Sequence, residues 1–136
     1  MKPGADEVRV PIRSAGDIVV ARQKGRALAT LLGFAGSDPT VVAAAISEVA
    51  RNIVNHAKRG EIIVQSVTLA GRRGIQVTAL DEGPGILDVQ QAMQYGFSTS
   101  KGLGVGLPGA KWLMDEFDIV SEVGKGTVVT MKKWLR

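Results

Sequence analysis

Gly71-Arg72-Arg73-Gly74 lies between the apolar runs 62–69 and 75–80, and Val123-Gly124-Lys125-Gly126 lies between the runs 118–122 and 127–133. A parallel crossover needs roughly a dozen residues, so connections this short can only turn the chain back on itself as antiparallel hairpins. Val8, Val10 and Ile12 alternate with other residues in the period of a further short strand, and Pro11, which has no N–H to donate, places that strand at a sheet edge.

Helical periodicity fills the space between strands. Ser14 followed by Asp17 forms a capping-box pattern ahead of a helix over 17–32, with Ile18, Ala21, Leu28 and either Leu31 or Leu32 inward and Gly33 as its stop. Asp38 reads as the N-cap of a second helix and Pro39 as its first residue. In this helix Val42, Ile46, Val49 and Ile53 make an apolar stripe, while Glu48, Asn52 and Asn55 share a second face. Lys58-Arg59-Gly60 marks its end. A short helix is expected over 87–93, a loop over 96–101 and a third long helix over 107–117, with Trp112 and Trp134 in packing positions. The order β-α-α-β-β-(short α)-α-β-β predicts a single α+β domain over residues 1–136: a two-layer sandwich with helices on one face of a mixed, mostly antiparallel sheet.

Composition narrows the function. With no cysteine there is neither a disulfide framework nor a thiolate metal site. The opening residues MKPGADEVRV lack the apolar core of a signal peptide, and no apolar run reaches the ~18 residues of a membrane span, so a cytoplasmic protein is expected. A net charge of +4 favours an anionic partner, but one Tyr and three Phe are too few for a base-stacking platform, which argues against nucleic acid.

The chemistry-bearing residues fall into separate short motifs. Asp81-Glu82-Gly83-Pro84-Gly85 puts an acceptor-only carboxylate at a strand end, suited to a ligand amine, with glycines that let a flat ring approach; the same letters also make a surface turn. Glu48 and Asn52 lie one helical turn apart, as a proton acceptor and a neutral Mg²⁺ ligand would, or as a solvated helix face does. Gly102-Leu103-Gly104-Val105-Gly106-Leu107 opens a helix whose free N–H groups suit phosphate. Phe97-Ser98-Thr99-Ser100-Lys101 offers hydroxyl and ammonium donors as a lid or is a polar loop, and Gly124-Lys125-Gly126-Thr127 is a hairpin turn with or without a binding role. Gly104, Gly106 and Gly109 also match G-x-G-x-x-G, but no strand precedes them and Pro108 interrupts them, and no Walker A sequence is present. His56, alone near a helix end, reads as a structural or capping group.

Taken together and in this order, E-x-x-x-N on a helix, D-x-G-x-G after a strand, G-x-G-x-G before a helix and G-x-G-T in a late hairpin resemble the four nucleotide-binding boxes of the GHKL (Bergerat-fold) ATPase/kinase superfamily. Over nearly the whole chain, DIVVARQKGRALATLLGF, ISEVARNIVNHA, DEGPGI, GFSTSKGLGVGLPGAKWLMDEFDI and KKWLR are similar to the stressosome switch serine/threonine kinases. That resemblance implies ATP and Mg²⁺ as cofactors. Asp81 would read the adenine amine, assisted through water by Thr127, and Gly83, Gly85 and Ile86 would shape the base pocket. Asn52 would hold Mg²⁺, Glu48 would be the catalytic base, and Gly102, Gly104, Gly106 and Leu107 would cradle the phosphates. Thr99, Ser100 and Lys101 would act from a lid that is short in this chain, only four residues separating Phe97 from Gly102. The implied partners are STAS-domain proteins, as substrates and sequestering partners, and a downstream phosphatase or other output protein. Two other readings of the same boxes remain, a binding module that uses nucleotide only as a conformational ligand and a simple ATPase.

Overall fold

The computed structural model describes residues 7–57, 59–83 and 106–136. In chain order these form β1 (Glu7–Ile12), α1 (Ala15–Leu32), α2 (Asp38–His56), β2 (Gly60–Leu69), β3 (Arg72–Asp81), α3 (Leu107–Leu113), β4 (Glu116–Glu122) and β5 (Gly126–Trp134). The strands make one sheet in the order β1-β2-β3-β5-β4, and every neighbouring pair is antiparallel. The sheet, expected to be mostly antiparallel, is antiparallel at every pair among the described residues, because β5 turns back from the edge strand β4 and lies alongside β3. β1 is the opposite edge, where Pro11 needs no donor.

The two long helices cover one face of this sheet. Val10, Ile12, Ile62, Val64, Ile75, Val77, Val129 and Met131 supply the sheet side of one core, and Ala21, Leu28, Val42, Ile46, Val49 and Ile53 supply the helix side. All four members of the α2 stripe are at most 1% exposed. Each large aliphatic side chain withdrawn this far from water contributes about 1.5–3 kcal/mol. Of the alternatives on α1, Leu32 is buried and Leu31 is 74% exposed. The capping box is present, with the Asp17 carboxylate accepting the backbone N–H groups of Arg13 and Ser14 at 2.8 and 3.2 Å. Gly33 ends α1 in the left-handed region, with φ 105°.

Several boundaries differ from the sequence expectation. The N-cap of α2 is Ser37, not Asp38, because the Ser37 carbonyl already accepts the first helical bond from Val41 at 2.9 Å. Pro39 is then the second helical residue, where a missing N–H still costs nothing. The helix ends at His56, which is exposed; Lys58 lies outside the described residues and Gly60 begins β2. The β2–β3 turn is Ala70-Gly71, with φ of 52° and 80°, as a two-residue hairpin turn demands. Arg72, Arg73 and Gly74 therefore belong to β3. Gly74 serves packing instead, since a Cβ there would lie 2.5 Å from the Lys133 carbonyl oxygen and 2.7 Å from Trp134 Cε3. α3 stops at Leu113, and Phe117 lies in β4 opposite Met131. Trp134 is buried as expected, whereas Trp112 is 79% exposed. The helix expected over 87–93 and the loop over 96–101 lie outside the described residues. Among the described residues no helix is long and apolar enough to cross a membrane.

Candidate functional site

The apolar stripe fixes the rotation of α2, and with it the direction of Glu48 and Asn52. Both are half-buried on the flank of the helix, one turn apart. Glu48 Oε1 accepts a hydrogen bond from the Gly106 backbone N–H at 3.1 Å. A bond of this kind to a charged group contributes about 1.5–3 kcal/mol. It ties the middle of α2 to the start of α3, where Gly106 takes φ 72° and Leu107 is 3% exposed in the core. The other oxygen, Oε2, lies 3.1 Å from Arg51 Nη1, a charge contact without hydrogen-bond alignment. Both carboxylate oxygens thus have positively polarised neighbours.

A second group forms at one end of the sheet. Antiparallel register places Ile12 opposite Gly60, Gly60 opposite Asp81, Asp81 opposite Thr127 and Thr127 opposite Ser121. Residues paired in this way point to the same face, here the face that α1 and α2 cover. The row therefore runs across all five strands, with the Asp81 carboxylate on the central strand and the hydroxyls of Thr127 and Ser121 toward the β4 edge. Thr127 is 4% exposed, and its Oγ1 lies 2.8 Å from Ser121 Oγ. Asp81 Oδ1 accepts the Gly83 N–H at 2.9 Å, which holds the carboxylate in a fixed orientation.

Two glycines bring the pieces into contact. A Cβ on Gly83 would lie 2.6 Å from the Ala57 Cβ, so the chain after Asp81 packs directly on the end of α2. A Cβ on Gly126 would collide with the Asp81 carbonyl, so the late hairpin closes on the same strand end. Gly60 permits close packing beside Asp81, since a Cβ there would collide with the Leu80 carbonyl and lie 3.1 Å from the Asp81 Cβ, and Asp81 also lines a depression of about 410 Å³ with Arg59, Leu80 and Pro11.

The described candidate residues fall into two linked groups, Glu48 with Gly106 and Leu107, and Asp81 with Gly83 and Thr127. α2 connects them, since it carries Glu48 and Asn52 and ends against Gly83. Gly85, Ile86, Thr99, Ser100, Lys101, Gly102 and Gly104 lie outside the described residues. Sequence reasoning missed Ser121 and Arg51 as neighbours of the candidate groups. Both had a signal: Ser121 and Thr127 are equally spaced from Gly124 at the hairpin tip, and Arg51 is three residues after Glu48 on a helix.

Asn52 presents a neutral amide beside this carboxylate. Among the described residues no cluster of three or more His, Cys, Asp or Glu gathers. A neutral amide of this kind suits an ion that arrives with its own phosphate ligands.

Residues 13–133 match the model of the histidine kinase-like ATPase domain family. The chain is 49% identical over 131 residues to the serine/threonine-protein kinase RsbT of Bacillus subtilis, covering 96% of this chain and 98% of that protein. It is 37% identical over 109 residues to the anti-sigma F factor of Caldanaerobacter subterraneus, covering 72% and 75%. In fold it resembles the histidine kinase domain of a blue-light activated histidine kinase from Erythrobacter litoralis, with a TM-score of 0.51 at 17% identity, over 88% of this chain and 59% of that one. A structure of the SiaB-SiaC complex from Pseudomonas aeruginosa gives 0.54 at 14% identity, over 95% and 89%. The chain belongs to the histidine kinase-like ATPase domain family and is an enzyme of it, a serine/threonine-protein kinase of the RsbT type.

Proposed function

We propose that this kinase takes MgATP in the space bounded by α2, the end of the sheet and the start of α3, and works as a partner switch. In this reading it phosphorylates a serine or threonine of a STAS-domain protein and, once released from it, binds a downstream phosphatase or other output protein. The observation that carries the reading is the link from Glu48 to Gly106, together with the row that sets Asp81 against Thr127, because two pairs of distant sequence motifs meet there.

Each residue then has a task. Asp81, its Oδ1 engaged by Gly83, keeps Oδ2 as an acceptor for the exocyclic amine of adenine, and Thr127 beside it completes the polar edge through water. Gly83, Gly85 and Ile86 shape the wall against the base. Gly102, Gly104, Gly106 and Leu107 supply backbone donors to the phosphates, with Thr99, Ser100 and Lys101 closing over them. Asn52 would hold Mg²⁺, which supplies charge neutralisation when bound. Glu48 receives the proton of the acceptor hydroxyl and orients that hydroxyl for in-line attack.

Incubation with MgATP and purified STAS-domain proteins, followed by mass spectrometry, tests the proposal. A single added phosphate on serine or threonine of one of them is the expected result. Stable complex formation with no added phosphate would instead favour a nucleotide-dependent binding module, the reading to which the anti-sigma F relatives lend weight. Steady phosphate release without any partner would favour a simple ATPase.

A further inference from the structure

Glu48 sits in this structure with both of its oxygens engaged. Oε1 accepts the Gly106 N–H at 3.1 Å, and Oε2 lies 3.1 Å from Arg51 Nη1. A carboxylate that is to take a proton needs one oxygen freed, so one of these contacts has to open. The Gly106 N–H belongs to the backbone at the start of α3, which Leu107 anchors in the core, and it cannot leave without moving that helix. Arg51 has no such anchor. Its side chain is long, rotatable and 40% exposed, and an ion pair three residues apart on a helix is weak beside a backbone bond to a charged group. Arg51 is therefore the contact that yields.

Its position gives that yielding a consequence. Arg51 lies on the side of α2 turned away from the stripe of Val42, Ile46, Val49 and Ile53, so it stands outside a carboxylate whose own side chain is only 16% exposed. Nη1 is cut off from solvent and has no hydrogen-bond partner among the described residues, although a guanidinium N–H is a strong donor. A contact of this kind covers the carboxylate oxygen and leaves the guanidinium ready to swing away.

We propose that Arg51 is a positioning residue that decides which acceptor Glu48 serves, withholding Oε2 from water until a protein hydroxyl arrives. The inference rests on the kinase reading above and adds what keeps the same base from hydrolysing ATP. A protein segment seated over Glu48 takes the place of the guanidinium and draws on its contacts elsewhere to displace it, whereas a water molecule brings none. With Arg51 displaced, Oε2 takes the hydroxyl proton and the hydroxyl oxygen bonds to the γ-phosphorus. The bond from that phosphorus to the β-phosphate oxygen breaks, its electron pair leaving with ADP. With Arg51 in place, the parallel attack by water, which would give inorganic phosphate, lacks its base.

The experiment compares wild type with Arg51→Met, Arg51→Lys, Glu48→Gln and the double variant E48Q/R51M. Phosphate release from MgATP without partner, transfer to a purified STAS-domain protein, and MgATP affinity by calorimetry are measured for each. Arg51→Met should release phosphate about twofold faster than wild type or more, the scale that opening a half-exposed ion pair allows. MgATP affinity should stay unchanged, Arg51→Lys should stay near wild type, and E48Q/R51M should lose the gain. A smaller rise in Arg51→Met overturns the proposal, as does an equal rise in Arg51→Lys, which would show that the charge is not what withholds the base. A gain that survives in E48Q/R51M overturns it because water would then not be using Glu48. Weakened MgATP binding in Arg51→Met overturns it in favour of a nucleotide contact. Undiminished transfer by Glu48→Gln sinks the base reading and this inference together. If wild type transfers phosphate to no STAS-domain protein, the kinase reading fails while release without partner still decides the role of Arg51.

Discussion

Replacing Asp81 by asparagine removes a charge while leaving the turn that holds it. In the native chain Oδ1 accepts the Gly83 N–H at 2.9 Å and the remaining oxygen is the one assigned to the ligand amine. Asparagine offers one oxygen and one NH₂ group in the same space. With the oxygen toward Gly83, the NH₂ faces the ligand's own donor; with the amide reversed, it faces the Gly83 N–H. Either way one acceptor is lost. If the adenine contact is a hydrogen bond to a charged group, its loss costs about 1.5–3 kcal/mol. At 1.4 kcal/mol per factor of ten, Kd for ATP rises about 10- to 150-fold. The core is untouched, so thermal unfolding without ligand should change little. Calorimetric titration of wild type and Asp81→Asn with MgATP measures the effect directly. A Kd within about twofold of wild type would refute the adenine contact, and a collapse in stability would show that Asp81 serves the fold instead.

Glu48→Gln keeps an oxygen for the Gly106 N–H but cannot take a proton, so phosphorylation of the partner should fall by about 10²–10⁴ while MgATP affinity stays close to wild type. Rapid-quench transfer assays beside nucleotide titration separate the two effects, and undiminished transfer would remove Glu48 from the chemistry. Gly74→Ala places a methyl against the Lys133 carbonyl and the Trp134 ring, both fixed in the sheet, and overpacking of this kind costs about 1–3 kcal/mol. Urea denaturation should report that loss, and an unchanged midpoint would show that β3 and β5 can move apart there.

The layer order and the α2 stripe were legible because a wrong rotation of α2 would expose Val42, Ile46, Val49 and Ile53 together, which only one arrangement avoids. The ends of elements were less legible. Phe117 continues the helical spacing from Ala110 and Leu113, yet pairing with Met131 satisfies it in a strand, and spacing alone does not distinguish the two. The β2–β3 turn was misplaced because Gly71 and Gly74 look alike in sequence, although one supplies a positive φ and the other the absence of a side chain. For the site, the motif residues were visible by type, but the row joining Asp81 to Thr127 depends on a register across β3 and β5 that neither strand reveals by itself. Gly60 read as a helix stop for the same reason: its role beside Asp81 exists only once β2 and β3 are paired.

Both rims of the sheet are blunted against strand addition. On β1, Pro11 interrupts the row of donors, and Arg9 carries an ion pair to Glu7 and another to Glu61. On β4, the exposed Glu116, Asp118 and Glu122 set like charges along the edge. An incoming strand would meet a missing donor on one side and a line of carboxylates on the other, which natural sheets use to resist edge-to-edge aggregation. The partner switch proposed above would gain from this, because its associations would be left to side chains, which can be exchanged, and not to a backbone ladder that any sticky strand could extend.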